Sequence, residues 1–152
     1  MPASAAEAAI ELRGVVKDFS IGLRGVPLRA VDGLNLRIAA GQVYGLLGPK
    51  GSGKSTTIKL ILGLLTPTAG DCAIFGVPST TVAARRDVGY LPEAPYFYRH
   101  LSGRELVRFF GRLCGLRGDT LAARVDASIA LAGLDRRSAD RRIGTYSKGM
   151  LQ

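Results

Sequence analysis

The chain has 152 residues, 47% of them hydrophobic, enough for the core of one domain of ordinary size. The formal net charge is +9, spread unevenly as +3 over residues 1–76 and +6 over residues 77–152. This balance excludes a disordered chain, and the longest apolar run, around Leu60 to Leu65, is too short for a membrane span.

The basic excess suits an anionic partner or a solvated basic surface. No Lys/Arg run exceeds two residues and aromatics do not interleave with the cations, so no nucleic-acid partner is expected. Cys72 and Cys114 are isolated, which makes neither a disulfide framework nor a zinc site and fits a reducing compartment. Met1 to Ile10 lacks the basic and apolar regions of a signal peptide.

Residues 1–9 read as a flexible Ala-rich tail, and Ile10 to Phe19 has strand character. Ser20 to Leu28 reads as a Gly-rich loop, and Leu34 to Ile38 alternates as a half-exposed strand does. Val43 to Leu47 is apolar without alternation, which predicts a strand buried on both faces. A helix is expected from Lys54 to Leu65, where Thr66-Pro67 stops it. Short strands follow at Asp71 to Phe75 and Val88 to Leu91, with a basic helix near Thr81 to Asp87 between them. From residue 100 the pattern is helical. Ser102 and Glu105 form a capping box, Leu106, Phe109, Phe110 and Leu113 share helical spacing, and a second helix runs from Thr120 to a stop at Gly133. His100, the only histidine, reads as a surface residue.

The strongest chemical signal is Gly48-Pro49-Lys50-Gly51-Ser52-Gly53-Lys54-Ser55, a phosphate-binding loop between a strand and a helix. Glycines let backbone N–H groups curl around a phosphate without Cβ clashes. Lys54 supplies a point charge for the β- and γ-phosphates, and the Ser55 hydroxyl suits Mg²⁺. The helix opening at Lys54 turns its N-terminal dipole toward the same anion.

From about Ile10 to Gln152 the chain resembles the ATP-binding domain of an ABC transporter. Gly48 to Thr56 resembles that family's Walker A motif, where Asn is usual at the place of Lys50. Tyr146-Ser147-Lys148-Gly149-Met150 is similar to the ABC signature in an exporter-like form, with Lys148 and Met150 replacing a glycine and a glutamine. Val88-Gly-Tyr-Leu-Pro-Glu93 looks like the Q-loop with Glu in place of Gln, and Phe19 resembles the aromatic that stacks on adenine.

The resemblance implies an α/β fold of the P-loop NTPase class, with an antiparallel β-subdomain, a partial parallel core and a helical subdomain from about residue 94 to 145. It implies ATP and Mg²⁺ as ligands. Phe19, Gly48, Pro49, Lys50, Gly51, Ser52, Gly53, Lys54, Ser55, Thr56, Ser147, Lys148 and Gly149 would touch nucleotide; Lys54 and Glu93 would serve catalysis, and Ser55 and Glu93 the metal.

The partners implied are a transmembrane permease subunit and a second ATP-binding domain, with the chain peripheral on the inner membrane face. Ala94 to Leu101, with Pro95, Tyr96, Phe97 and Tyr98, is the expected docking segment; packing on the helix at Leu106 to Leu113 is its alternative. The family expects Walker B, D-loop and H-loop motifs after the signature, and none is found in this sequence. The chain is therefore expected to be an incomplete ABC ATPase domain over residues 10–152. A non-hydrolysing nucleotide-binding fragment and a soluble ABC ATPase acting on ribosomes or DNA are the alternatives.

Overall fold

The computed structural model describes residues 8–22, 25–86, 88–92 and 96–151. They fall into two compact units, Met1–Gly89 and Tyr90–Gln152.

The first unit is a sheet carrying one main helix. Strand β1 (Ala8–Ile21) pairs antiparallel with β2 (Val26–Ala39) on one side and with β3 (Ala69–Ile74) on the other; β4 (Val77–Pro78) pairs antiparallel with the end of β3. The sheet order is β2-β1-β3-β4. The expected loop over 20–28 is shorter than the sequence suggested, because both strands continue through it: Ile21 pairs with Val26 and Phe19 with Leu28. The strand also starts at Ala8, so the tail reading is trimmed by two residues. The alternation at Leu34 to Ile38 is real, with Asn35 and Arg37 exposed between buried or half-buried neighbours.

Helix α1 (Lys54–Ile61) lies against this sheet through Leu60, which is fully buried. Leu12 and Val15 of β1, Val31 of β2 and Cys72 of β3 complete the cluster around it. Each such side chain contributes roughly 1.5–3 kcal/mol on removal from water. The helix ends earlier than expected, before Gly63, whose N–H bonds the Leu60 carbonyl while the Leu64 N–H bonds that of Lys59. That pair of bonds is a left-handed glycine stop, and it precedes Thr66-Pro67. Short helix α2 (Val82–Arg85) sits inside the expected basic helix, capped by the Thr81 hydroxyl.

Two expected strands are corrected. Residues 43–47 form no ladder with any described residue, and Val43 and Leu47 are almost fully exposed. Residues 88–91 are also irregular, with Tyr90 and Leu91 exposed. Every named strand pair is antiparallel, so the expected parallel pairing has no counterpart among the described residues. A short apolar run becomes a strand only where a neighbour accepts its backbone bonds.

The second unit is helical. Helices α3 (Gly103–Leu113) and α4 (Gly118–Leu131) pack as a hairpin with short α5 (Arg136–Ala139) beneath them. Leu121, Val125 and Ile129, each four residues apart, bury one stripe of α4 with Ala139. Arg104 ties the three helices together, its guanidinium bonding Asp126 and Asp140. The end of α4 at Gly133 follows the glycine rule, with Leu134 N–H on the Ile129 carbonyl.

The capping box is present: Ser102 Oγ accepts from the Glu105 N–H, and Glu105 Oε2 accepts from the Ser102 N–H at 2.8 Å. That Ser102 N–H holds the Glu105 carboxyl below its ordinary value, helped by the Ser102 side chain. A carboxylate favoured in the folded state adds stability above the unfolded value, and this is lost as pH falls through the lower folded one. Glu105→Gln is therefore expected to be less stable than the parent at neutral pH, with the gap narrowing as pH falls into the acid range. Urea midpoints across that range check this, and a gap that does not change with pH would refute it.

Candidate functional site

The phosphate-loop residues lie where α1 meets β2. Pro49 to Ser52 form a tight turn, with the Ser52 N–H on the Pro49 carbonyl at 3.3 Å. Gly53 is the N-cap of α1 and sits at φ 82°, a conformation that favours glycine. A Cβ there would also come within 2.5 Å of the Ala30 carbonyl oxygen, so the loop closes on β2 only through a glycine.

Inside this loop the Lys54 ammonium donates to the carbonyls of Gly48 and Pro49, both at 2.7 Å, and lies 3.4 Å from Ser52 Oγ. The cation is thus drawn back over the turn rather than extended into solvent. The first helical bond of α1 runs from the Thr57 N–H to the Gly53 carbonyl. The N–H groups of Lys54, Ser55 and Thr56 precede it, and no side chain caps them. Ser55 is exposed. Between Asp32 and Asp71 the sequence contains no acid, while Arg37, Lys50, Lys54 and Lys59 are all cationic. Backbone donors and a poised ammonium are the chemistry that suits a phosphate chain.

Phe19 stands on β1, half-buried, opposite Leu28. Two residues earlier Lys17 pairs with Val31, the residue next to the Ala30 on which Gly53 closes. The fold therefore brings Phe19 and Gly48 to Thr56 into one unit. The motif reading passed over Lys17, which lies 5.3 Å from the Phe19 ring centre. Its signal was a lysine two residues before an aromatic on a strand, where a period of two puts both on one face.

Ser147, Lys148 and Gly149 are exposed in the second unit. Ser147 opens a single 3₁₀ turn, Lys148–Met150, and its hydroxyl accepts from the Met150 N–H at 3.4 Å. Tyr146 anchors the segment by donating to the Ser138 carbonyl at 2.7 Å, and burial pushes its phenol up. Glu93, Ala94 and Pro95 lie outside the described residues. Of the rest of the segment expected to dock a partner, Tyr96 is fully exposed, while Tyr98 meets Phe109 edge-on with ring centres 5.7 Å apart and stays half exposed. His100 is exposed, as expected. Cys72 and Cys114 are free thiols. Among the described residues no helix is long and apolar enough to cross a membrane.

Comparison with known proteins agrees with this geometry. The family model described as ABC transporter matches residues 31–152. The chain is 34% identical to a Nod factor export ATP-binding protein I of Mesorhizobium japonicum, over 99% of this chain and 43% of that protein. It is 37% identical to the uncharacterized ABC transporter ATP-binding protein YxlF of Bacillus subtilis, over 81% of this chain and 40% of that protein. The chain thus spans under half the length of these relatives. Among solved structures, the dimeric bacterial ABC transporter cassette MJ0796 matches with a TM-score of 0.81 and 26% identity, covering 93% of this chain and 65% of that one. The same cassette in a post-hydrolysis state bound to ADP and Pi matches with a TM-score of 0.80 and 25% identity. The P-loop, the antiparallel sheet, the helical unit and these matches have one explanation: the chain belongs to the ABC transporter family and has its ATP-binding α/β fold.

Proposed function

We propose that this chain is the nucleotide-gripping part of an exporter-type ABC transporter subunit that couples ATP binding and hydrolysis to transport. The observation that carries the reading is the Lys54 ammonium folded onto the Gly48 and Pro49 carbonyls at the uncapped start of α1. Lys54 grips the β- and γ-oxygens, the loop N–H groups cradle the phosphate chain, and Phe19 supports adenine. Thr56 adds its backbone N–H at the helix start, and Lys50, exposed at the turn, adds a second cation.

The exposed Ser55 hydroxyl is a hard oxygen donor of the kind Mg²⁺ takes, and it would hold the ion beside the phosphates. When bound, Mg²⁺ neutralises charge on the phosphate oxygens. Ser147, Lys148 and Gly149 are exposed where they could meet nucleotide held by a second copy, and the dimeric state of the similar cassette supports that pairing. Export is supported by the names of the relatives, and a membrane permease is the partner that such export needs. The chain then works in the cytoplasm against the inner membrane face.

Titration with Mg-ATP tests the reading. The parent chain is expected to bind ATP, and Phe19→Ala to bind it about five- to a hundredfold more weakly, since stacking is typically worth about 1–3 kcal/mol per base. GTP should lose as much, because stacking tolerates any base. If Phe19→Ala kept full affinity while melting earlier, the ring would belong to the core and the base site would lie elsewhere.

A further inference from the structure

Lys17 has an unusual set of neighbours for a strand lysine. Its ammonium donates to the Thr66 carbonyl at 2.7 Å and lies 5.3 Å from the Phe19 ring centre. Thr66 belongs to the segment that leaves α1, and that segment is tied to the strand twice more. The Thr68 N–H donates to the Val16 carbonyl at 2.8 Å, and the Asp18 N–H donates to Thr68 Oγ1 at 3.0 Å.

The carboxylate next to it in sequence, Asp18, is already bonded to another cation. Both oxygens of Asp18 accept from Arg29, at 2.9 and 3.2 Å. The Lys17 ammonium gives its hydrogen bond to the Thr66 carbonyl, with the Phe19 ring beside it. A cation over a ring face is attracted by the ring quadrupole. Here the cation is itself held from behind, so the contact restricts the plane of the ring.

We propose that Lys17 is a positioning residue for the nucleobase: tethered to the Thr66 carbonyl, it covers one face of Phe19 and leaves the other for a purine. The inference rests on the reading of Phe19 as the base platform. A ring already restricted in the free protein loses less freedom when the base arrives, which strengthens binding without a new contact. The same tether links the base site to the chain leaving the phosphate-loop helix.

The test separates base from phosphate. Lys17→Met keeps an unbranched side chain of nearly the same reach and removes the charge; Lys17→Arg keeps the charge. Each is titrated with Mg-ATP and with inorganic tripolyphosphate, which has no base. Lys17→Met is expected to weaken ATP about two- to fivefold, as a cation–π contact at a partly exposed site allows. Tripolyphosphate affinity should stay unchanged, Lys17→Arg should bind ATP as the parent does, and Lys17→Met should add nothing once Phe19 is alanine.

Equal losses for ATP and tripolyphosphate would overturn the proposal, because the charge would then act on phosphate. No loss for either ligand would overturn it too. Lys17→Gln, a second charge-removing variant, carries the test if Lys17→Met fails to fold. If Phe19→Ala itself keeps full ATP affinity, the base-platform reading falls. If Phe19→Ala loses affinity and Lys17→Met does not, only the role of Lys17 falls.

Discussion

Lys54→Ala is expected to weaken ATP binding by about ten- to a hundredfold, with little change in melting temperature. Hydrogen bonds to a charged group are worth roughly 1.5–3 kcal/mol, and each 1.4 kcal/mol is a factor of ten. The geometry explains why no other residue covers the loss. Lys54 alone among the loop residues has its charge turned back over the Gly48–Ser52 turn, with three oxygens within 3.4 Å. Lys50 is exposed at the turn, so its charge acts through solvent. The carbonyl bonds of Lys54 are solvent-facing, so losing them costs little stability. A titration with a fluorescent ATP analogue decides the matter: unchanged affinity would sink the phosphate-loop assignment itself.

Leu60→Ala is expected to destabilise the first unit by about 2–5 kcal/mol, the range for emptying a leucine site in a packed core. Leu60 is fully buried between β1, β2 and β3, and among α1 residues only Thr57 is similarly enclosed. Its carbonyl also accepts from the buried Ser79 hydroxyl at 3.1 Å, so a shift of the helix would disturb a second buried group. Against a typical net stability of roughly 5–15 kcal/mol this is a large fraction. Binding should suffer with stability, because the same helix opens with Lys54. Ile58→Ala is the control: Ile58 is exposed on the same helix and should cost under about 1 kcal/mol. Urea unfolding of both variants gives the comparison, and equal losses would falsify the role given to Leu60.

Much of the site was legible because it is local. A glycine that must adopt φ 82°, a lysine beside it and a helix behind it lie within a few residues, and spacing alone carries that information. The capping box at Ser102 and Glu105 and the glycine stop at Gly133 were legible for the same reason. Their partners are three to five residues away, and the bonds form whatever the rest of the chain does.

The strand reading of 43–47 failed on the opposite ground. Apolarity says that a segment would profit from burial but does not supply a neighbour, and here Val43 and Leu47 face solvent. The hairpin turn was read too long because continuation of the ladder through Ile21 and Val26 depends on pairing across the turn.

The sequence by itself determined the phosphate loop, the helix caps and the family, since each is a pattern of residue types over a short span. Only the tertiary structure decided that β1 lies between β2 and β3, that Gly53 closes against the Ala30 carbonyl, and that Lys17 is tethered to Thr66 beside Phe19. Lys17 and Thr66 are 49 positions apart. Their meeting depends on the packing of α1 against the sheet around Leu60, a contact between distant segments that no local pattern encodes.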